Sequence, residues 1–172
     1  SEFDLYMRAD SNTRGHHQWF YFKISNAKRQ TSCKFNIVNF TKKDSLYNYG
    51  MQPWVYSERS SGPWRKGGER INYGYSKLNA ILKQEGYRKS YYQLSFTYTF
   101  DQDEDVISFA YCIPYSFSKL GCFLKTLPTL YERKKIIEQS FLCYSLSGIE
   151  IPLLTITNFS LHNEERDKNT KK

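Results

Sequence analysis

The stretch "YYQLSFTYTFD", residues 91–101, alternates without a break. Tyr92, Leu94, Phe96, Tyr98 and Phe100 fall on one side, and Gln93, Ser95, Thr97 and Thr99 on the other. Successive side chains of a β-strand point to opposite faces, so this period of two predicts a strand with one packed and one wet face. The acidic run "DQDED" (101–105) then reads as a turn, and "VISFAYCIPY" (106–115) as the strand that returns beside it. Aromatic residues make up 17% of the chain, with 15 Tyr and 12 Phe against 2 Met. Such side chains suit pleated, half-buried surfaces, which extends the β reading to the surrounding sequence.

Upstream, residues 18–24 form a first strong strand, "CKFNIVNF" (33–40) a second and "MQPWVYS" (51–57) a shorter third. "SSGPWRKGGERINYGY" (60–75) carries Gly62-Pro63 and Gly67-Gly68 and reads as a turn-rich loop entering a weak strand. Short strands separated by turns, with no long helix among them, predict an antiparallel β-sandwich. After Tyr115 the period changes. Leu120, Phe123, Leu124 and Leu127 mark one helical face, with Ser116 or Ser118 as cap and Pro128 as the expected stop. "FLCYSLSGIEIPLLTITN" (141–158) reads as a hairpin around Ser147-Gly148, its arm from Ile149 to Ile156 apolar enough to be covered on both faces. The expected organisation is 1–128 for the β domain with its terminal helix, 129–140 a connector, 141–158 the first strands of a further domain, and 159–172 a polar, disordered tail.

With 25 Lys and Arg against 17 Asp and Glu, the net charge is +8, and a positive field draws in anionic partners. Nucleic acid is disfavoured among these, because the aromatics alternate onto core faces and no zinc-finger or RNA-recognition spacing occurs. Four cysteines, at 33, 112, 122 and 143, form no Cys-x-x-Cys pair and are expected to be reduced thiols in a cytosolic protein. On that reading the sequons at Asn39 and Asn158 are chance matches. No apolar run is long enough to span a membrane as a helix. The chain starts with Ser rather than Met and is read as a segment of a longer protein.

The residues with chemical potential cluster in "NTRGHHQWFYFKI" (12–24). His16 and His17 are neighbours on an extended chain, point to opposite faces and do not clasp one metal ion. The expected arrangement is a turn at Asn12, Thr13 and Gly15 that feeds the core, with His16 beside Trp19 or bonded to buried backbone. In "YNYGMQP", Gly50 supplies a permissive backbone and Met51 fills a gap. "RKGGER" (65–70) is a solvated loop by composition.

Four stretches together, "RADSNTRGHHQWFYF" (8–22), "SLYNYGMQPWVYS" (45–57), "FAYCIPYSFSKL" (109–120) and "LCYSLSGIEIPLLTIT" (142–157), resemble the N-terminal domain of the cytosolic carboxypeptidases in content, order and spacing. The resemblance runs over roughly residues 3–157. It implies a β-sandwich followed by a short helix and the first hairpin of a truncated α/β carboxypeptidase domain. It further implies a parent zinc enzyme that trims glutamates from acidic tails such as those of tubulin. Cytoplasmic location, with possible microtubule or cilium association, and the chain's own C-terminal catalytic domain as partner follow from the same resemblance. It makes Arg8, Arg14, His16, Tyr47, Gly50, Met51 and Tyr115 candidates for interdomain or substrate-facing roles, and Arg65, Lys66 and Arg70 a patch that steers acidic substrates.

The family's zinc site needs His-x-x-Glu, a later His and a separate catalytic Glu. This chain spells His-x-x-Glu only at His162 and Glu165, in the polar tail, where it reads as a chance match. No cofactor and no peptidase activity are therefore expected of this chain alone, with zinc held by the parent. A stand-alone basic β-sandwich that binds nucleic acid, an acidic peptide or a carbohydrate is the competing reading.

Overall fold

Two four-stranded sheets face each other across a core of phenylalanines. The computed structural model describes residues 1–13, 15–86, 89–131 and 136–159. In chain order the first part holds β1 (Glu2–Leu5), β2 (Tyr21–Ala27), β3 (Ser32–Phe40), a 3-10 turn (Leu46–Tyr49), β4 (Trp54–Ser57), β5 (Arg65–Lys66), β6 (Glu69–Tyr75), a short helix α1 (Leu78–Gln84), β7 (Tyr92–Thr99) and β8 (Asp105–Ala110). One sheet has the order β1-β3-β7-β6 and the other β2-β8-β4-β5. All pairs are antiparallel except β1, which runs parallel to β3. The predicted β-sandwich is present.

The alternation in 91–101 places Leu94, Phe96, Tyr98 and Phe100 in the core, each nearly or fully buried. Phe35 on β3 and Phe109 on β8 are both fully buried, with ring centroids 5.3 Å apart. Phe22 on β2 lies 5.4 Å from Phe35 and 5.0 Å from Phe109, and Phe96 lies 5.6 Å from Phe109. These rings from both sheets interdigitate, as facing sheets require to exclude water.

One pairing differs from expectation. β7 and β8 belong to different sheets, so residues 100–104 carry the chain across the sandwich and do not close a hairpin. The reason is visible at Asp105. It is buried, its carboxylate accepts hydrogen bonds from the Ser57 hydroxyl (2.5 Å) and the Arg59 backbone N–H (3.0 Å), and it anchors the start of β8 against the end of β4. The outward face of β7 is also drier than expected. Ser95 is buried, its hydroxyl donating to fully buried Asn36 at 2.8 Å. The Asn36 amide donates in turn to Glu2 (2.7 Å) and Asp4 (2.9 Å), whose charges meet Lys34 and Lys77.

The chain divides into two units, Ser1–Pro114 and Tyr115–Lys172, so the helix after Tyr115 stands with the hairpin rather than at the end of the sandwich domain. In the second unit α2 (Phe117–Tyr131) follows Ser116, whose hydroxyl accepts from the Lys119 N–H at 3.3 Å. Leu124 and Leu127 of the predicted stripe are buried, whereas Phe123 is half exposed. The helix continues through Pro128 to Tyr131; the missing N–H there removes one intrahelical bond without ending the helix. β9 (Ile137–Tyr144) and β10 (Glu150–Ile156) form the predicted hairpin, and its first arm starts earlier than expected, inside 129–140. Gly148 has φ +78° at the turn, where its N–H donates to the Ser145 carbonyl at 2.9 Å. The expectation that β10 is covered on both faces is not met among the described residues. Leu153 and Ile156 are exposed on this ribbon, which pairs with no third strand among the described residues. The tail with His162 and Glu165 lies outside the described residues.

Candidate functional site

Three of the four motifs converge on Tyr111. From the first, the Gln18 side-chain amide donates to the Tyr111 hydroxyl at 2.9 Å, and the Trp19 indole N–H donates to the Cys112 sulfur at 2.9 Å. From the second, the Tyr47 ring meets Tyr111 edge-on, with centroids 6.0 Å apart. Phe20 completes the contact at 6.1 Å. The fourth motif lies in the second unit. Gln18, Tyr111 and Cys112 are absent from the residues singled out on sequence alone. Their membership of the same motifs as Arg8 and Tyr115 is the signal that could have found them.

The candidates at Tyr47, Gly50 and Met51 belong to one rigid turn. Ser45 caps the 3-10 segment, and Gly50 closes it at φ +89°, where an L side chain is strained. Tyr47 is buried and its hydroxyl meets no hydrogen-bond partner among the described residues. Burial holds that phenol protonated far above its ordinary range. The same turn leaves Leu46 63% and Tyr49 73% exposed. They border a cleft of about 280 Å³ lined also by Gln18, Tyr73 and Tyr111. Burial raises the Tyr73 hydroxyl to about 12, and it donates to the Lys42 carbonyl at 2.6 Å.

In the opening stretch, Arg8 and His16 are exposed, and Arg14 lies outside the described residues. The expectation for His16 is corrected: His17, not His16, turns inward. Its ring lies edge-on to Tyr91 at 6.4 Å, and its Nδ1 is buried without a partner among the described residues. Burial, and next the Lys89 ammonium, lower its pKa below the usual histidine value. Gly15, at φ +82°, leaves room for Lys89, whose Nζ would lie 2.6 Å from an added Cβ. Among the described residues no group of three or more His, Cys, Asp or Glu side chains converges as a metal site. These residues do not fit zinc. Tyr115 is 64% exposed at the start of the second unit.

Arg65, Lys66 and Arg70 flank the chain's passage from one sheet to the other, between β5 and β6. Arg65 pairs with Asp101 at 3.1 Å and also donates to the Tyr98 hydroxyl at 3.2 Å. Lys66 and Arg70 are exposed, with Glu69 between them. The patch is therefore of mixed sign. No described helix is long and apolar enough to cross a membrane.

Comparison with known proteins agrees with the fold. Residues 1–112 match the family model described as "Cytosolic carboxypeptidase N-terminal domain". Cytosolic carboxypeptidase 1 of Xenopus laevis is 39% identical over 164 residues, which cover 91% of this chain and 13% of that protein. Cytosolic carboxypeptidase 4 of Mus musculus is 37% identical over 169 residues, 94% of this chain and 15% of that protein. The chain thus spans less than a fifth of these relatives. A solved putative carboxypeptidase A from Shewanella denitrificans shares the fold with a TM-score of 0.55 at 19% identity, over 90% of this chain and 34% of its own.

Proposed function

Because the chain belongs to the cytosolic carboxypeptidase family and carries its N-terminal domain, we propose that it serves as the accessory domain of a zinc carboxypeptidase. In that reading the rest of the protein holds zinc and removes glutamates from acidic protein tails such as those of tubulin in the cytoplasm. The sandwich supports folding of the catalytic domain and shapes access to it.

The observation that carries this reading is the Tyr111 convergence and the turn beside it. A turn held rigid by Ser45 and Gly50 presents Leu46 and Tyr49 to solvent at the edge of a cleft. Exposed apolar side chains on a preorganised surface are what a docking face requires, since little ordering entropy remains to be lost. The acidic substrate class is supported by the net charge of +8.

The test uses the complete protein with Leu46→Asp and Tyr49→Asp together. The expected result is lower soluble yield, faster protease cleavage near residues 114–115, and reduced glutamate release from a polyglutamate peptide. Wild-type complete protein that binds zinc but leaves such a peptide intact would end the substrate reading. Unchanged proteolysis and activity of the double variant would end the docking reading.

A further inference from the structure

The two sheets end side by side at β1 and β2, and each of these strands has one edge unpaired among the described residues. Between them opens a cavity of about 320 Å³. Its floor is apolar, formed by buried Ile37 and Phe20 and half-buried Phe22, with exposed Trp19 at the rim. Arg8 also borders it, exposed and without an ion-pair partner among the described residues.

The free edge of β2 is defined by its pairing. The Tyr111 N–H donates to the Phe20 carbonyl at 3.0 Å, and the antiparallel register pairs Phe22 with Phe109 and Ile24 with Ile107. Hydrogen-bonded and outward-facing residues alternate in such a ladder, so the backbone groups of Tyr21 and Lys23 face away from β8. Natural edges are blunted by bulges and charges. β2 has its irregularity between Ile24 and Ala27 and its paired charge at Lys23, leaving the Trp19–Tyr21 end undefended.

We propose that this seam docks an extended peptide, which adds to the edge of β2, seats one apolar side chain in the cavity and sets a carboxylate against Arg8. Main-chain pairing supplies affinity in such strand addition, and the pocket supplies selectivity. The Arg8 guanidinium, unpaired among the described residues, fixes the sign of the peptide's charge, since it presents a fork that matches a carboxylate. This site is separate from the cleft beside Tyr111, and its test does not depend on the chain's role in a larger enzyme.

The experiment is fluorescence anisotropy on the 172-residue chain with a fluorescein-labelled probe, Gly-Ser-Val-Phe-Val-Glu-Gly. Saturable binding is expected. It weakens about tenfold when the probe's Glu becomes Gln, when its Phe becomes Ala, or when the protein carries Arg8→Gln. Lys23→Pro removes an outward N–H and abolishes binding while circular dichroism stays unchanged; if that variant unfolds, Arg8→Gln decides. Absence of saturable binding, or equal affinity of wild type and Arg8→Gln, overturns the proposal. So does a concentration-dependent dimer in sedimentation that excludes the probe, which would assign the seam to a second copy of the chain.

Discussion

The side chain of Asn39 holds the backbone of Met7 as a neighbouring strand would: its Oδ1 accepts from the Met7 N–H at 2.8 Å and its Nδ2 donates to the Met7 carbonyl at 2.8 Å. Asn79 does the same for Tyr91, with both bonds at 2.7 Å. Both asparagines are buried. Each extends pairing past the end of a sheet strand, holding backbone groups that lie partly buried there.

Asn39→Ala should destabilise the fold by about 1–2 kcal/mol, since two partly buried backbone groups lose their partners. Asn39→Asp should be nearly as costly at neutral pH, because a carboxylate has no donor for the Met7 carbonyl. Urea unfolding of both variants checks this. A loss under about 0.5 kcal/mol in each would place the clamp among incidental contacts.

Gly67 passes so close to the core that an added Cβ would lie 2.7 Å from Val55 Cγ2. Gly67→Ala is expected to cost about 1–3 kcal/mol by overpacking. Val55→Ala should offset part of that cost, so the two substitutions are sub-additive in a double-mutant cycle. Strict additivity would show that the strain is absorbed elsewhere.

Four groups make stability fall with acid, one of them Asp44, whose carboxyl is lowered by bonds from Asn48 and then the Ser45 N–H. Bonds from Asn36 and then Lys34 lower the Glu2 carboxyl; Lys77 and then Asn36 lower that of Asp4; burial and then Lys89 lower His17. Each depressed pKa means the unfolded chain binds protons first, so the contribution is complete above the unfolded value and lost below it. The thermal midpoint should therefore hold above pH 6.5, drop as His17 charges, and drop again below pH 4.5 as Glu2, Asp4 and Asp44 protonate. His17→Phe should remove the first drop alone. A midpoint that rises between pH 6.5 and 5 in the wild type would contradict the assignment.

In the complete protein, Lys66→Glu should lower kcat/KM on a polyglutamate peptide about twofold at low salt, with no effect at high salt. Adding Arg65→Glu should lower it further, because the substitution breaks the pair with Asp101 and leaves two carboxylates in its place. Equal effects at both ionic strengths would point to direct contact instead.

Much of the sandwich was legible because face assignment is local. A period of two in residues 92–100 and the aromatic run at 19–22 name the core residues without naming their neighbours. The candidate site was only partly legible. "QWFYF", "YNYGMQP" and "FAYCIPY" stood out singly, but that Gln18, Tyr47 and Tyr111 meet depends on contacts between residues 18, 47 and 111, which no local pattern encodes. Sequence alone does not separate His17 from His16, because the inward-facing member of an adjacent pair is chosen by what stands opposite, here Tyr91.

The amino-acid sequence by itself determined that the chain is mainly β, which side of each main strand is apolar, where the helix begins and which family's motifs it carries. The tertiary structure alone decided that β7 and β8 part company into opposite sheets, that Asn36, Asn39 and Asn79 are buried partners rather than surface polar residues, and that α2 runs past its proline. The physical reason is range. Alternation and capping arise between residues a few positions apart, whereas strand partners and buried polar networks are settled by contacts across 12 to 93 residues, whose energies no short stretch contains.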